Sequence, residues 1–254
     1  MTVDILAEDV MEDLGPVLVA RGGTLHPRFG GVAVDSRMVQ QGYLFVALPG
    51  QRHDGHHFLA EAVSRGAWGL MVSRPAYEWE GVSVFHVRDT LEGLQRLAAG
   101  RRRRHPQLTV VGITGSVGKT TCKELTAAVL ARRYSVLKSP GNLNTEVGLP
   151  LALMGLEAHH HVAVLEMGMF ARGDIALLCR VANPQVGVVT NVAPVHLERL
   201  GSMAAIAAAK GELLESLPRE GVAVVNGDCP WTRRLASRTR ARVVTFGLGP
   251  ASQV

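Results

Sequence analysis

From residue 109 onward the chain alternates short, almost wholly apolar runs with longer amphipathic segments. The apolar runs cover residues 109–113, 134–137, 162–166, 186–190, 222–226 and 242–246. Most are valine-rich and lack polar alternate positions, which is the pattern of strands buried on both faces. Between them, residues 119–132, 173–181 and 203–217 predict helices, with shorter ones near 149–154 and over 229–239. Regular β–α alternation predicts a mostly parallel, doubly wound sheet. Ligands of such sheets bind outside the carboxyl ends of the strands.

The first hundred residues keep a different rhythm. Residues 1–22 predict a short helix and a strand over 17–20. Further strands are predicted at 31–37, 43–48, 68–72 and 82–87, with Pro49-Gly50 closing the second and residues 51–57 a polar loop. Residues 58–65 predict a helix stopped by Gly66. Asp89 or Thr90 caps another helix, which runs through Leu91, Leu94 and Leu97. This makes a small α/β domain over 1–100. Four arginines, a histidine and Pro106 then predict a linker at 101–107. Residues 108–254 form the second domain, whose body ends near 247 before a linker-like tail.

Composition adjusts this picture in three places. The net charge is +5, but Arg101–Arg104 supplies four of those charges, so no basic surface for nucleic acid is expected. Three widely spaced cysteines form neither a disulfide framework nor a zinc site. The N-terminus is acidic rather than basic, and no apolar run approaches the ~18 residues of a membrane span. The expectation is a soluble, cytoplasmic monomer with no membrane and no nucleic-acid partner. The chain also has 23 arginines and only four lysines, Lys119, Lys123, Lys138 and Lys210. A position that keeps lysine in such a chain is a candidate for chemistry that needs an amine.

The chemistry centres on VVGITGSVGKTT, residues 110–121. An apolar strand enters a glycine turn, and Gly118-Lys119-Thr120 opens a helix. Backbone N–H groups and a helix N-terminus there cradle phosphate, the lysine neutralises it, and the threonine hydroxyl reaches Mg²⁺. The full phosphate-loop pattern wants a glycine where Ile113 stands, so the match is the shorter Gly115-x-x-Gly118-Lys119-Thr120 form. Glu166, at the tip of a buried strand, is a candidate magnesium partner. His196 follows another strand and reads equally as a metal ligand or a structural loop residue. Asn142 and Asn144 lie in a Pro-Gly-flanked loop, where asparagine is also an ordinary turn residue. Lys210, set among alanines, is either solvated or desolvated and reactive. The histidines at 53–57 and 159–161 read as polar loop and turn residues rather than metal sites.

Taken in order, these motifs resemble the Mur ligases, the ATP-dependent amide-forming enzymes of peptidoglycan precursor synthesis. The carriers are Thr114-Gly-Ser-Val-Gly-Lys-Thr-Thr121, Lys138-Ser-Pro-Gly-Asn-Leu-Asn-Thr-Glu-Val-Gly-Leu-Pro150, Glu166-Met-Gly168, Thr190-Asn-Val-Ala-Pro-Val-His-Leu-Glu198 and Ala209-Lys-Gly-Glu212. Asp35-Ser-Arg37, residues 42–50 and Asp54-Gly-His56 resemble the family's UDP-sugar-binding domain. The 141–150 stretch is most similar to the branch that adds D-alanyl-D-alanine.

The resemblance implies roles. Thr114, Gly115, Ser116, Val117, Gly118, Lys119, Thr120 and Thr121 would bind ATP. Thr120, Glu166, His196 and Lys210 would hold Mg²⁺, with Lys210 carbamylated and Lys119, His196 and Lys210 catalytic. Asn142, Asn144 and Thr145 would line the substrate side, and Ser36 and Arg37 would contact the uridine nucleotide. UDP-MurNAc-tripeptide and D-Ala-D-Ala would be joined through an acyl phosphate, giving ADP and phosphate. The family's third, C-terminal domain is expected to be absent from this chain, which would leave binding intact and turnover impaired. The alternatives are a non-catalytic nucleotide- and UDP-sugar-binding regulator or scaffold, another branch of the family, and a generic phosphate-loop ATPase or kinase.

Overall fold

The computed structural model describes residues 3–50, 53–75, 79–195, 197–250 and 252–254. The chain divides into two compact units, one of residues 1–104 with 153–157, the other of residues 105–152 and 158–254.

The first unit opens with β1 (Ile5–Leu6), α1 (Ala7–Leu14), β2 (Leu18–Gly23), β3 (Arg28–Phe29) and β4 (Val32–Ala33). It continues with β5 (Leu44–Val46), α2 (Leu59–Ser64), β6 (Gly69–Val72), β7 (Ser83–Val87) and α3 (Thr90–Arg103). Five strands form one sheet in the order β2-β7-β6-β5-β4, parallel except where β2 meets β7. Phe45, Leu70, Val72 and Val84 bury one face. The strand expected at 31–37 is cut to two residues, because the Asp35 carboxylate accepts the Arg37 N–H and starts a turn of 3₁₀ helix at Ser36–Met38.

The residues read as a linker are different in structure. Asp89 caps α3, accepting from the Leu91 and Glu92 N–H groups, and the helix runs on through Arg103. Its arginines neutralise the acidic face of α1. Arg103 and Arg104 reach the two Asp13 oxygens at 2.8 and 2.7 Å, and Arg104 also reaches Asp9 and Glu12. Cations at a helix C-terminus also suit its dipole. Gly100 makes room, since a Cβ there would stand 1.9 Å from Asp13 Oδ2.

The second unit contains β8 (Thr109–Thr114), α4 (Lys119–Leu130), β9 (Val136–Lys138), α5 (Gly148–Met154) up to Ala152, and β10 (Val162–Glu166). Then follow α6 (Asp174–Ala182), β11 (Val186–Val189), α7 (Leu197–Leu200), α8 (Met203–Glu215), β12 (Val222–Asn226), α9 (Pro230–Leu235) and β13 (Arg242–Phe246). Its six strands are all parallel, in the order β13-β12-β11-β8-β10-β9. The doubly wound reading therefore stands. Valines and Ile113 on β8, β10 and β11 pack against α4 through Ala127. The 247–254 tail is not an open linker. Its Gln253 and Val254 N–H groups donate to the Thr245 carbonyl, and Asp228 accepts the Leu248 and Gly249 N–H groups. Among the described residues, no helix is long and apolar enough to cross a membrane.

Candidate active site

The site gathers at the carboxyl ends of β8, β9 and β10. Strand order switches beside β8, because its two sheet neighbours, β10 and β11, are consecutive in the chain and lie on opposite sides of it, and such a switch point is where these sheets bind ligands. The turn after β8 needs its glycines. A Cβ on Gly115 would stand 1.9 Å from Thr190 Oγ1, and Gly118, at φ +82°, is the left-handed residue from which α4 starts. The segment after β11 pins this turn. Asn191 accepts the Ser116 N–H on its carbonyl and the Val117 N–H on Oδ1, each at 3.0 Å, while Thr190 and Asn191 donate to the Val117 carbonyl. Ser116 Oγ donates to the Ala193 carbonyl and accepts the Ala193 N–H.

Of the phosphate-loop residues expected from sequence, Ser116 and Val117 thus spend their N–H groups on the turn's own shape. The first turn of α4, Lys119, Thr120 and Thr121, presents the free helix N-terminus. The Lys119 ammonium folds back on the Gly115 carbonyl at 3.0 Å. Thr114 lies buried at the end of β8, its hydroxyl without a hydrogen-bond partner among the described residues.

Glu166 is the hub. Its carboxylate is buried, Oε2 accepting from the Thr120 hydroxyl at 2.8 Å and Oε1 from the Asn144 amide at 2.7 Å. Its own N–H donates to Ser139 Oγ. A threonine hydroxyl and a carboxylate side by side make an all-oxygen donor pair, which suits Mg²⁺, an ion that fills its remaining positions with water and phosphate oxygen. No group of three or more His, Cys, Asp and Glu side chains among the described residues could hold a metal by itself. His196 lies outside the described residues.

A cleft of about 210 Å³ brings Gly115, Lys119, Asn144, Thr145, Asp174 and Lys210 together. Asn142 is not among its walls and is exposed. Lys210 on α8 is 2% exposed. It has neither hydrogen bond nor ion pair among the described residues. Burial, helped by the nearby Lys119 charge, brings its pKa down to about 8. Sequence reasoning missed Ser139, Thr190, Asn191 and Lys123. Only the lysine scarcity pointed to the last of these.

In the first unit, Ser36 and Arg37 line a separate pocket of about 620 Å³ with Phe45, His53, Phe58 and Glu61. The Ser36 hydroxyl donates to Glu61 at 2.8 Å, and Arg37 forms a fork on Asp35, whose pKa it holds down at about 2. His56 is structural: its Nε2 accepts the Ser73 N–H and its Nδ1 meets Asp54.

A family model described as Mur ligase middle domain matches residues 113–253, and one described as Mur ligase family, catalytic domain, matches residues 28–102. The UDP-N-acetylmuramoyl-tripeptide–D-alanyl-D-alanine ligase of Synechocystis sp. is 43% identical over 223 residues, covering 87% of this chain and 49% of that protein. The Bacillus subtilis protein of the same name is 41% identical, with 86% and 47% covered. MurF from Acinetobacter baumannii superposes with a TM-score of 0.89 at 30% identity, over 97% of this chain and 54% of that one. MurF from Thermotoga maritima, solved in complex with ADP, gives 0.78 at 37% identity, over 85% and 50%. The chain spans about half the length of the curated relatives it matches.

Proposed function

Because the chain belongs to the Mur ligase family, we propose that it carries the UDP-sugar-binding and ATP-binding parts of a ligase that joins D-Ala-D-Ala to UDP-MurNAc-tripeptide. The observation that supports this most is the cleft in which Lys119 of the phosphate loop, Asn144 and Thr145 of the 139–145 loop, and Lys210 share one space. The relatives carrying that ligase name at 43% and 41% identity support the choice of reaction.

In this reading the N–H groups at the start of α4 and the Lys119 ammonium hold the ATP phosphates. Thr120 and Glu166 hold Mg²⁺, and His196 joins them on the strength of the family resemblance. When bound, the ion supplies positive charge beside the transferring phosphoryl group. The peptide carboxylate attacks the γ-phosphorus, the bond to the β,γ-bridging oxygen breaks, and ADP leaves. The dipeptide's neutral amine then attacks the acyl carbon, an N–C amide bond forms as the C–O bond to phosphate breaks, phosphate leaves and the amine's proton passes to water. Asn144 and Thr145 orient the acceptor side, and Asn142 stands at the outer edge of that loop. Lys119 offsets charge that builds on the phosphoryl oxygens. Lys210 has the lowered basicity that CO₂ addition needs. The neutral amine forms an N–C bond, loses a proton and becomes a carbamate anion, a further oxygen donor. In the first unit the pocket at Ser36 and Arg37 takes the uridine nucleotide.

Titration calorimetry on this chain tests the binding half of the reading. Magnesium-ATP and UDP-MurNAc-tripeptide should each bind, and Lys119→Ala should remove the first and leave the second. A parent chain that binds neither would sink the reading. ADP release that depends on D-Ala-D-Ala tests the full reaction.

A further inference from the structure

Lys123 lies one turn beyond Lys119 on α4, and its side chain is fully buried. Its ammonium donates to two main-chain carbonyls of another segment, Ser139 at 2.9 Å and Gly141 at 2.7 Å, with Glu124 at 3.3 Å balancing the charge. Taking an ammonium out of water is costly unless such acceptors receive it. The acceptors depend on it in turn, because removing the ammonium would leave two carbonyls to find new partners.

Those carbonyls begin the loop of residues 139–145, whose Asn144 bonds to Glu166. Ser139 is itself buried, receives the Glu166 N–H on its hydroxyl and donates its own N–H to Val164. The chain turns at Gly141, with φ +51°, and the Leu143 N–H closes on Pro140. Asn144 then donates its amide to Glu166 and accepts the Gly168 N–H on its carbonyl. The loop is therefore fastened at its far end by Asn144 and at its near end by Lys123, which stands on the helix that opens with the phosphate-binding residues.

We propose that Lys123 is a positioning residue, holding the loop of residues 139–145 in the form that sets Asn144 on Glu166 and Thr145 in the cleft. The role rests on the ligase reading of that cleft. Lysine suits it because a compact ammonium donates in three directions, whereas methionine of similar length donates in none.

The test compares the parent with Lys123→Met by amide hydrogen exchange and by magnesium-ADP affinity. Exchange at the Leu143, Glu166 and Gly168 amides should rise at least about tenfold, while α4 amides stay near parent values. ADP affinity should remain within about threefold, a shift under 1 kcal/mol. Unchanged exchange at those three amides overturns the proposal. So does an equal rise across the whole unit, which would make Lys123 a stability residue only. In Lys123→Ala, ethylammonium should restore protection of the loop, and tetramethylammonium, which has no N–H, should not; equal effects from both, or none from either, overturn it. If neither variant folds, stability is the residue's role and the positioning claim falls. A parent that fails to bind ADP counts against the cleft's assigned function instead, and leaves the exchange comparison readable.

Discussion

Lys210 shows what the site demands of a single residue. The residue is 2% exposed with no counter-charge among the described residues, and its pKa is brought to about 8 from 10.5 by burial first and by Lys119 second. The sign of the linkage follows. Below pH 8 both folded and unfolded chains hold the proton, and the folded state carries the whole cost of burying it. Between pH 8 and 10.5 the unfolded chain binds more protons, so stability rises with pH. The difference corresponds to about 3 kcal/mol at neutral pH. Lys210→Met should therefore stabilise the second unit by up to about 3 kcal/mol at pH 7, in CO₂-free buffer, with the gain fading as pH climbs through 10.5. Denaturant unfolding across that range measures it. A variant less stable than the parent at pH 7 would mean that the amine has a partner after all. A stabilised but inactive variant is the expected signature of a residue kept for chemistry.

Among the elements, the phosphate loop separates two uses of glycine. Gly118 adopts φ +82° with open space where a Cβ would go, so alanine there meets only backbone strain. Gly115 has Thr190 Oγ1 where its Cβ would stand, and that hydroxyl is already committed to the Val117 carbonyl. Gly118→Ala should cost about 1 kcal/mol, the usual penalty for a left-handed non-glycine residue. Gly115→Ala should cost more and abolish ADP binding, because the pin between the loop and the 190–193 segment must shift. Urea unfolding with ADP titration checks both, and equal losses would refute the distinction. This pin also marks where sequence reading stops. The β8 strand and the Gly-Lys-Thr turn were legible because they are local: a valine run, a glycine, a lysine and a hydroxyl in order. That Ser116 and Val117 give their N–H groups to Asn191 was not, since the partner is some 75 residues away in the chain. Distance misled in the same way at Arg101–Arg104. Four arginines before a proline look like a linker until Asp13, about 90 positions earlier, is seen accepting from Arg103 and Arg104. Asp35 differs: its signal was local, an Asp two residues before the N–H it accepts, and the strand reading of 31–37 overlooked it. Lys210 was readable in part, because alanines flank it and lysines are scarce.

Over the whole chain, two compact units each hold a pocket, one at Ser36 and Arg37, the other at Lys119 and Lys210. The ligase reading assigns them different ligands, and that division is measurable without turnover. A ligand that binds only the folded form stabilises its own unit by an amount set by its concentration over its dissociation constant, about 2.7 kcal/mol at a hundredfold excess. Magnesium-ADP should therefore slow amide exchange in β8, the start of α4 and the loop at Asn144, and leave amides of the first unit unchanged. UDP-MurNAc-tripeptide should slow exchange around Asp35–Met38 and α2. Within the second unit, the protection should be strongest at Lys119, Thr120 and Thr121, whose N–H groups open α4, and weak at Ser116 and Val117, already protected by Asn191 without ligand. Protection by ADP at Ser116 and Val117 equal to that at Lys119 would show that the loop reorganises on binding and that its pin to Asn191 breaks. Protection of the 35–61 region by ADP and not by the UDP-peptide would reverse the assignment of the two pockets.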